Sequence, residues 1–389
     1  MTQNPLTDQQ TETTENKKKE AILQVRHLCF EFMLRGQVLH ALRDISLDVY
    51  EGESLAIVGE SGSGKSVFVS TLMGLNANNG HISSGSILYH GKDIAKYTTQ
   101  EEWRTIRGKK IAMVMQDPMT SLNPLKTIGW QIQEVVELHQ GLKGEEAKQA
   151  VYQLLTDVGI SDPKHRYKQY PHEFSGGMRQ RVVIAIALAC KPEILICDEP
   201  TTALDVTIQA QILGILKEMK EKYHLTTIYI THDLGVVANV ADRIAVMYAG
   251  DFVEIGSCNE VFYDPRHPYT WALLSSLPQL GVKGKDLYTI VGTPPNLFYE
   301  VHGDAFAPRN PHPLKIDFVK RPPMFQITPT HEARTWLLDP RSPEIAPPEH
   351  ILALREKGKA LGVIGPRYGT VLDEDEETAD MDQTKGEGA

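Results

Sequence analysis

Ser54-Leu55-Ala56-Ile57-Val58-Gly59-Glu60-Ser61-Gly62-Ser63-Gly64-Lys65-Ser66 decides how the rest of the chain is read. Glu51-Gly52 turns the backbone into an apolar run that reads as a buried strand, and the stretch 65–75 after it reads as a helix. Between them lies a glycine-rich loop of the pattern G-x-x-x-x-G-K-[ST]. Its glycines let the loop curl until backbone N–H groups point inward at phosphate oxygens, and the helix offers its positive end to the same anion. Lys65 then reaches the outer phosphates and Ser66 supplies a hydroxyl to Mg²⁺. Gly59, Glu60, Ser61, Gly62, Ser63, Gly64, Lys65 and Ser66 are thus candidate contacts for a nucleoside triphosphate.

Downstream, Ile194-Leu195-Ile196-Cys197 is an apolar strand that ends in Asp198-Glu199. A carboxylate at a strand end opposite a phosphate loop can hold Mg²⁺, a role that falls to Asp198; Glu199 would orient and polarise an attacking water. A strand simply meeting solvent at two acids is the bland alternative, and the nearby phosphate loop weakens it. Further strands are expected at 111–115, 227–231 and 243–248, alternating with helices, which argues for a largely parallel sheet covered on both faces. The loose alternation over 21–48 predicts short β-strands. Between 124 and 189 the spacing turns helical, at 128–139, at 145–158 and after Ser175-Gly176-Gly177, predicting a helical insertion. From Asp264 onward prolines crowd in, the mark of an irregular extension.

The 389 residues are 41% hydrophobic and 23% charged, enough to bury a sizeable core. The longest apolar run, nine residues from Val182 to Cys190, is too short to span a bilayer, and the first twenty residues are polar with no secretory leader. The expectation is a chain kept in the cytosol. Net charge is −10, much of it in an acidic run from residue 372 onward that reads as a solvated tail. With no basic stripe, nucleic acid is not the expected partner. Cys29, Cys190, Cys197 and Cys258 are scattered without C-x-x-C spacing and read as reduced thiols.

Phe174-Ser175-Gly176-Gly177-Met178-Arg179-Gln180-Arg181 opens a helix shortly before Asp198, and Thr231-His232-Asp233 ends a later strand. With these two motifs the sequence resembles the ATP-binding-cassette (ABC) family, over roughly 23–277. The resemblance implies an α/β fold: a P-loop NTPase (RecA-like) cassette with a mainly parallel sheet, an antiparallel β subdomain, a helical insertion and an irregular C-terminal extension. It also implies ATP and Mg²⁺ as ligands, and a head-to-tail dimer. In that dimer each ATP lies between one phosphate loop and the signature Ser175, Gly176 and Gly177 of the other subunit. His232 resembles the family's γ-phosphate-sensing histidine, and Gln116 the glutamine linking Mg²⁺ and water to the helical insertion. Ala203-Leu204-Asp205 resembles the loop that crosses the dimer interface. Implied catalytic residues are Glu199, His232, Gln116 and Lys65, and implied Mg²⁺ ligands Ser66, Gln116 and Asp198. Phe32 is the choice for stacking on adenine, with Phe30 the alternative.

Within the family, Gln116-Asp117-Pro118-Met119-Thr120-Ser121-Leu122-Asn123-Pro124 and Arg266-His267-Pro268-Tyr269-Thr270 look like the peptide/nickel importer ATPases, most of all the D-type subunits of oligopeptide permeases. Gly303-Asp304-Ala305-Phe306-Ala307-Pro308-Arg309-Asn310 resembles that group's extension; many relatives hold an iron–sulfur cluster there with cysteines, but this chain has none after Cys258, so no cluster is expected. The implied partners are a second, related but non-identical ABC ATPase, two membrane permease subunits and an extracellular peptide-binding protein, with the chain peripheral on the cytoplasmic membrane face. The expected division is a disordered polar tail 1–20, a nucleotide-binding domain 21–277 with a helical subdomain at about 124–190, the extension 278–356 and a flexible acidic tail 357–389. The competing readings are a soluble ABC ATPase acting on DNA or ribosomes, a binding-only cassette, or an importer ATPase for dipeptides or nickel.

Overall fold

Five residues at the centre of the sheet, Ser54–Val58, are all buried, and their side chains alternate between two cores. Ala56 and Val58 pack on one face; Leu55 and Ile57 pack on the other. Full burial of Leu55, Ile57 or Val58 contributes about 1.5–3 kcal/mol each. A computed structural model describes residues 20–202, 204–277, 290–364 and 370–371. The lead-in before residue 20, Ala203 and the acidic run from 372 lie outside the described residues.

Among the described residues the main sheet has nine strands. Ser54–Val58 pairs in parallel with Arg243–Tyr248 on one side and Thr226–Thr231 on the other. Ile194–Asp198 and then Ile111–Val114 continue the parallel order. Parallel strands point their C-terminal ends to one edge, so the segments after 58, 231, 198 and 114 emerge side by side. This places the loops named from sequence together. Helix Lys65–Leu72 covers one face through Phe68, Val69 and Leu72, while helices Gly176–Ala189, Val206–Tyr223 and Pro268–Ser275 cover the other. The helical insertion forms as expected, with Ile128–Gln140 and Gly144–Asp157 preceding Gly176–Ala189.

Short strands were expected over 21–48, yet two 14-residue strands form there, Ala21–Leu34 and Gln37–Tyr50. They belong to a separate four-stranded antiparallel sheet. Arg35 and Gly36, at φ 51° and 80°, make the tight turn between them. Register shifts near His27 and Asp44, both at positive φ, break the two-residue alternation, and this is why the sequence reads as several short runs.

The extension is mostly irregular, as expected, but two short strands in it join the main sheet. Phe325–Thr328 and His331–Ala333 add to the free edge of Asp251–Ser257 and prolong the main sheet. Helix Glu349–Ala360 crosses the boundary placed at 356: Ile351 is fully buried, Arg355 Nε lies 2.8 Å from Asp264 Oδ1, and a Cβ on Gly358 would sit 2.6 Å from that of Tyr263.

The join between cassette and extension is a buried carboxylate. Glu254 accepts from Arg266 N at 2.6 Å, His267 N at 3.0 Å and His331 Nε2 at 2.8 Å, with no exposure of either side chain of the His331 pair. Burial opposes its charge, but the hydrogen bond from His331 and the backbone donors hold the carboxyl below its ordinary range. Glu254→Ala strands these donors and is expected to cost about 3–5 kcal/mol. Urea or thermal unfolding of the purified chain checks this; a variant that melts with wild type would show the node to be dispensable.

Candidate functional site

The strand Ser54–Val58 runs into a loop that only glycine can begin. A Cβ on Gly59 would lie 2.2 Å from the Met247 carbonyl oxygen, and Gly64, at φ 108°, turns the chain into helix Lys65–Leu72. The loop borders a cleft of about 1130 Å³. Lys65 Nζ folds back and donates to Gly59 O and Glu60 O, both at 2.8 Å. Burial pushes the Lys65 ammonium down from its usual range, against the pull of Glu199, Asp198 and Glu60. A buried cation lying on loop carbonyls and ringed by carboxylates is poised to exchange those partners for phosphate oxygens.

At the neighbouring strand ends, three segments meet on one carboxylate. Glu199 Oε2 accepts from Gln116 Nε2 at 2.8 Å and from Thr202 Oγ1 at 2.9 Å, and Oε1 lies 3.1 Å from His232 Nδ1. The Glu199 backbone sits at φ 42°, a left-handed conformation that costs a non-glycine residue about 1 kcal/mol or more. Its N–H donates to Ile230 O at 2.9 Å, tying the bend to the adjacent strand. The two adjacent acids are driven apart. Burial and the Glu199 charge push the Asp198 carboxyl up. Burial also acts on Glu199, but hydrogen bonds with His232 and Thr202 outweigh it and hold that carboxyl down. Such a split is a mark of a working site.

The donor set fits Mg²⁺. Ser66 borders the cleft, and the half-buried Asp198, disfavoured as an anion by burial and by Glu199, is what a divalent cation relieves. Among the described residues no group of three or more His, Cys, Asp and Glu forms a cage of its own. Mg²⁺ commonly takes one or two protein oxygens and completes its shell with water and substrate phosphates.

Phe32 lines the cleft with Leu39 and Ala41, whereas Phe30 is buried 5.0 Å behind it, edge to face. Lys65, Gln116, Glu199 and His232 border the same cleft. Ser175, Gly176, Gly177 and Asp205 do not. Ser175 Oγ caps its helix by accepting from Met178 N, and Asp205 caps the next by accepting from Ile208 N. A Cβ on Gly176 would meet Leu204 at 3.7 Å and one on Gly177 would meet Ile208 at 2.7 Å, so the signature and Asp205 loops form one separate surface.

Three contacts escaped the sequence. Thr202 holds Glu199, Tyr269 Oη accepts from Glu60 N at 2.8 Å, and Arg309 forks the Glu60 carboxylate. Tyr269 and Arg309 lay inside quoted motifs, but nothing local says that they fold back onto residue 60.

A strand, a glycine loop and a helix beside a polarised carboxylate pair define a P-loop nucleotide-binding α/β protein. Residues 42–202 match the ABC transporter family, and 253–315 match the oligopeptide/dipeptide transporter C-terminal region. The chain is 55% identical to the oligopeptide transport ATP-binding protein AmiE of Streptococcus pneumoniae serotype 4, over 88% of this chain and 96% of that one. It is 52% identical to the oligopeptide transport ATP-binding protein OppD of Bacillus subtilis, over 86% and 94%. A solved dimer of the cassette MJ0796, in a post-hydrolysis state with ADP and Pi, superposes with a TM-score of 0.54 at 27% identity, covering 61% of this chain and 98% of that one. The chain belongs to the ABC transporter family as an ATP-hydrolysing subunit, in the group that carries the oligopeptide/dipeptide C-terminal region. Among the described residues no helix is long and apolar enough to cross a membrane.

Proposed function

We propose that this chain energises oligopeptide import: it hydrolyses ATP at the cytoplasmic membrane face and drives two membrane permease subunits fed by an extracellular peptide-binding protein. The observation that carries the catalytic part is the convergence of Gln116, Thr202 and His232 on Glu199, beside Lys65. Glu199, kept ionised by these donors, orients the water that attacks the γ-phosphorus in line. Lys65 stabilises charge on the outer phosphates, and the loop 59–66 supplies backbone N–H groups. Ser66 and Asp198, with Gln116, would hold Mg²⁺, which neutralises phosphate charge when bound. Phe32 supplies the stacking face for the base, half-buried and on the cleft.

The surface made by Ser175, Gly176, Gly177 and Asp205 stands off the cleft, which supports completion of the γ-phosphate site in trans by a second ABC ATPase; likeness to the group makes that partner a related but different chain. In the relatives named for oligopeptide transport the match runs nearly end to end, which supports a peptide cargo here. Co-purification from detergent-solubilised membranes, followed by uptake into proteoliposomes, tests this. ATP-dependent uptake of a labelled hexapeptide is expected, exceeding that of a dipeptide or Ni²⁺. Recovery of the chain on ribosomes without membrane partners would end the transport reading.

A further inference from the structure

The proposed nucleotide site has a wall that comes from outside the cassette. Arg309 ends a short turn, Ala307–Arg309, whose neighbour Phe306 is fully buried with its ring 5.3 Å from both Tyr248 and Tyr269. From this anchored base the Arg309 guanidinium reaches the phosphate loop. Nη1 lies 2.7 Å from Glu60 Oε2 and Nη2 3.1 Å from Glu60 Oε1, a two-pronged pair, with the arginine side chain only 5% exposed. The remaining donors are used as well: Nε donates to Val291 O at 3.1 Å and Nη1 also to Tyr248 Oη at 3.2 Å. Glu60 is thereby gripped at three points, because its N–H donates to Tyr269 Oη and its carbonyl accepts from Lys65. The extension touches the cleft a second time, at Pro295, Asn296 and Leu297, where Leu297 O accepts from His40 N at 3.0 Å on the edge strand beside Phe32.

We propose that Arg309 is a positioning residue of the nucleotide site: reaching in from the C-terminal extension, it fixes Glu60 and with it the curl of the phosphate loop, so the extension sets nucleotide affinity in cis. The physical case has two parts. A fork on a carboxylate fixes orientation as well as distance, which a single ammonium contact does not. The guanidinium also cancels a carboxylate that would otherwise sit, unpaired, on a loop built to receive a triphosphate. Glu60 itself is then a neutralised tether, not a phosphate ligand by its side chain.

The inference rests on the nucleotide-site reading, and a calorimetric titration of the full chain with MgATP separates the two. Wild type must bind; if it does not, the nucleotide reading itself falls. Arg309→Gln is expected to raise Kd for MgATP and MgADP alike by about tenfold or more while kcat at saturation holds. Arg309→Lys, keeping charge without the fork, should fall between. Adding Glu60→Gln to Arg309→Gln should bring Kd part of the way back, since the stranded carboxylate is gone. A merely structural arginine would shift the melting temperature without that rescue. The proposal is overturned if Arg309→Gln melts normally and binds as tightly as wild type, or if the double variant binds no better than the single. Should Arg309→Gln not fold, Arg309→Lys decides: affinity equal to wild type overturns the proposal.

Discussion

Glu199→Gln is expected to lower ATP turnover of the assembled complex by about 10²–10⁴-fold while MgATP binding persists and the closed dimer accumulates. The reason is the way this one carboxylate is held. Gln116 and Thr202 both donate to Oε2, and His232 Nδ1 sits at Oε1, so the carboxylate is an acceptor on both oxygens. An amide of the same size keeps one acceptor and turns the other atom into a donor facing donors. The backbone at φ 42° still places the side chain at the strand end, so position survives and charge does not. The proposed phosphate cradle, the loop 59–66, is a separate segment that the substitution does not alter. Since the hydrogen bonds with His232 and Thr202 outweigh burial and keep the folded carboxyl below its ordinary range, Glu199 stays ionised from pH 8 down past pH 6. Any acid limb of activity in that window must then arise from another group. Single-turnover hydrolysis alongside a nucleotide-binding titration checks the variant. Unchanged turnover would strip Glu199 of its role.

How much of this could be read from the chain depends on how local each contact is. The strand–loop–helix at 54–72 is local: apolar run, glycines and lysine are contiguous, and Gly59 is required because Met247 crowds it. The strand ends at 198 and 231 were legible for the same reason, and the parallel order of the sheet then brings them together. Arg309 meets Glu60 across 249 positions, and Tyr269 meets it across 209; no period or spacing encodes such pairs. The strands of the extension are three or four residues long amid prolines, too short to show alternation, and they exist because Asp251–Ser257 offers a free edge. The long hairpin over 21–50 was misjudged since its bulges reset the alternation at His27 and Asp44. What sequence conveys well is chemistry on a loop; what it conveys poorly is which distant element steadies that loop.

Lys65→Met is expected to leave the empty protein nearly as stable as wild type and to abolish most nucleotide binding, two effects of opposite weight from one atom. In the structure the ammonium is buried, disfavoured there by desolvation, and rests on Gly59 O and Glu60 O. Methionine removes the cost of burying charge but leaves those carbonyls without Nζ, and gain and loss are each of order 1–3 kcal/mol. They offset. With nucleotide the balance is lost, because a charge-assisted bond to phosphate contributes about 1.5–3 kcal/mol and no thioether replaces it. Affinity should fall by roughly 10–100-fold. Thermal unfolding reads both at once: MgATP at a hundred times the wild-type Kd stabilises wild type by about 2.7 kcal/mol, and a variant weakened 10–100-fold by only about 0.4–1.4 kcal/mol, so its melting shift shrinks to half or less. A variant that keeps the full MgATP shift would mean that phosphate binding rests on the loop's backbone N–H groups and the helix end alone. A variant that unfolds without ligand would mean that Lys65 holds the loop closed, and the cation would then count as scaffold before it counts as a phosphate ligand.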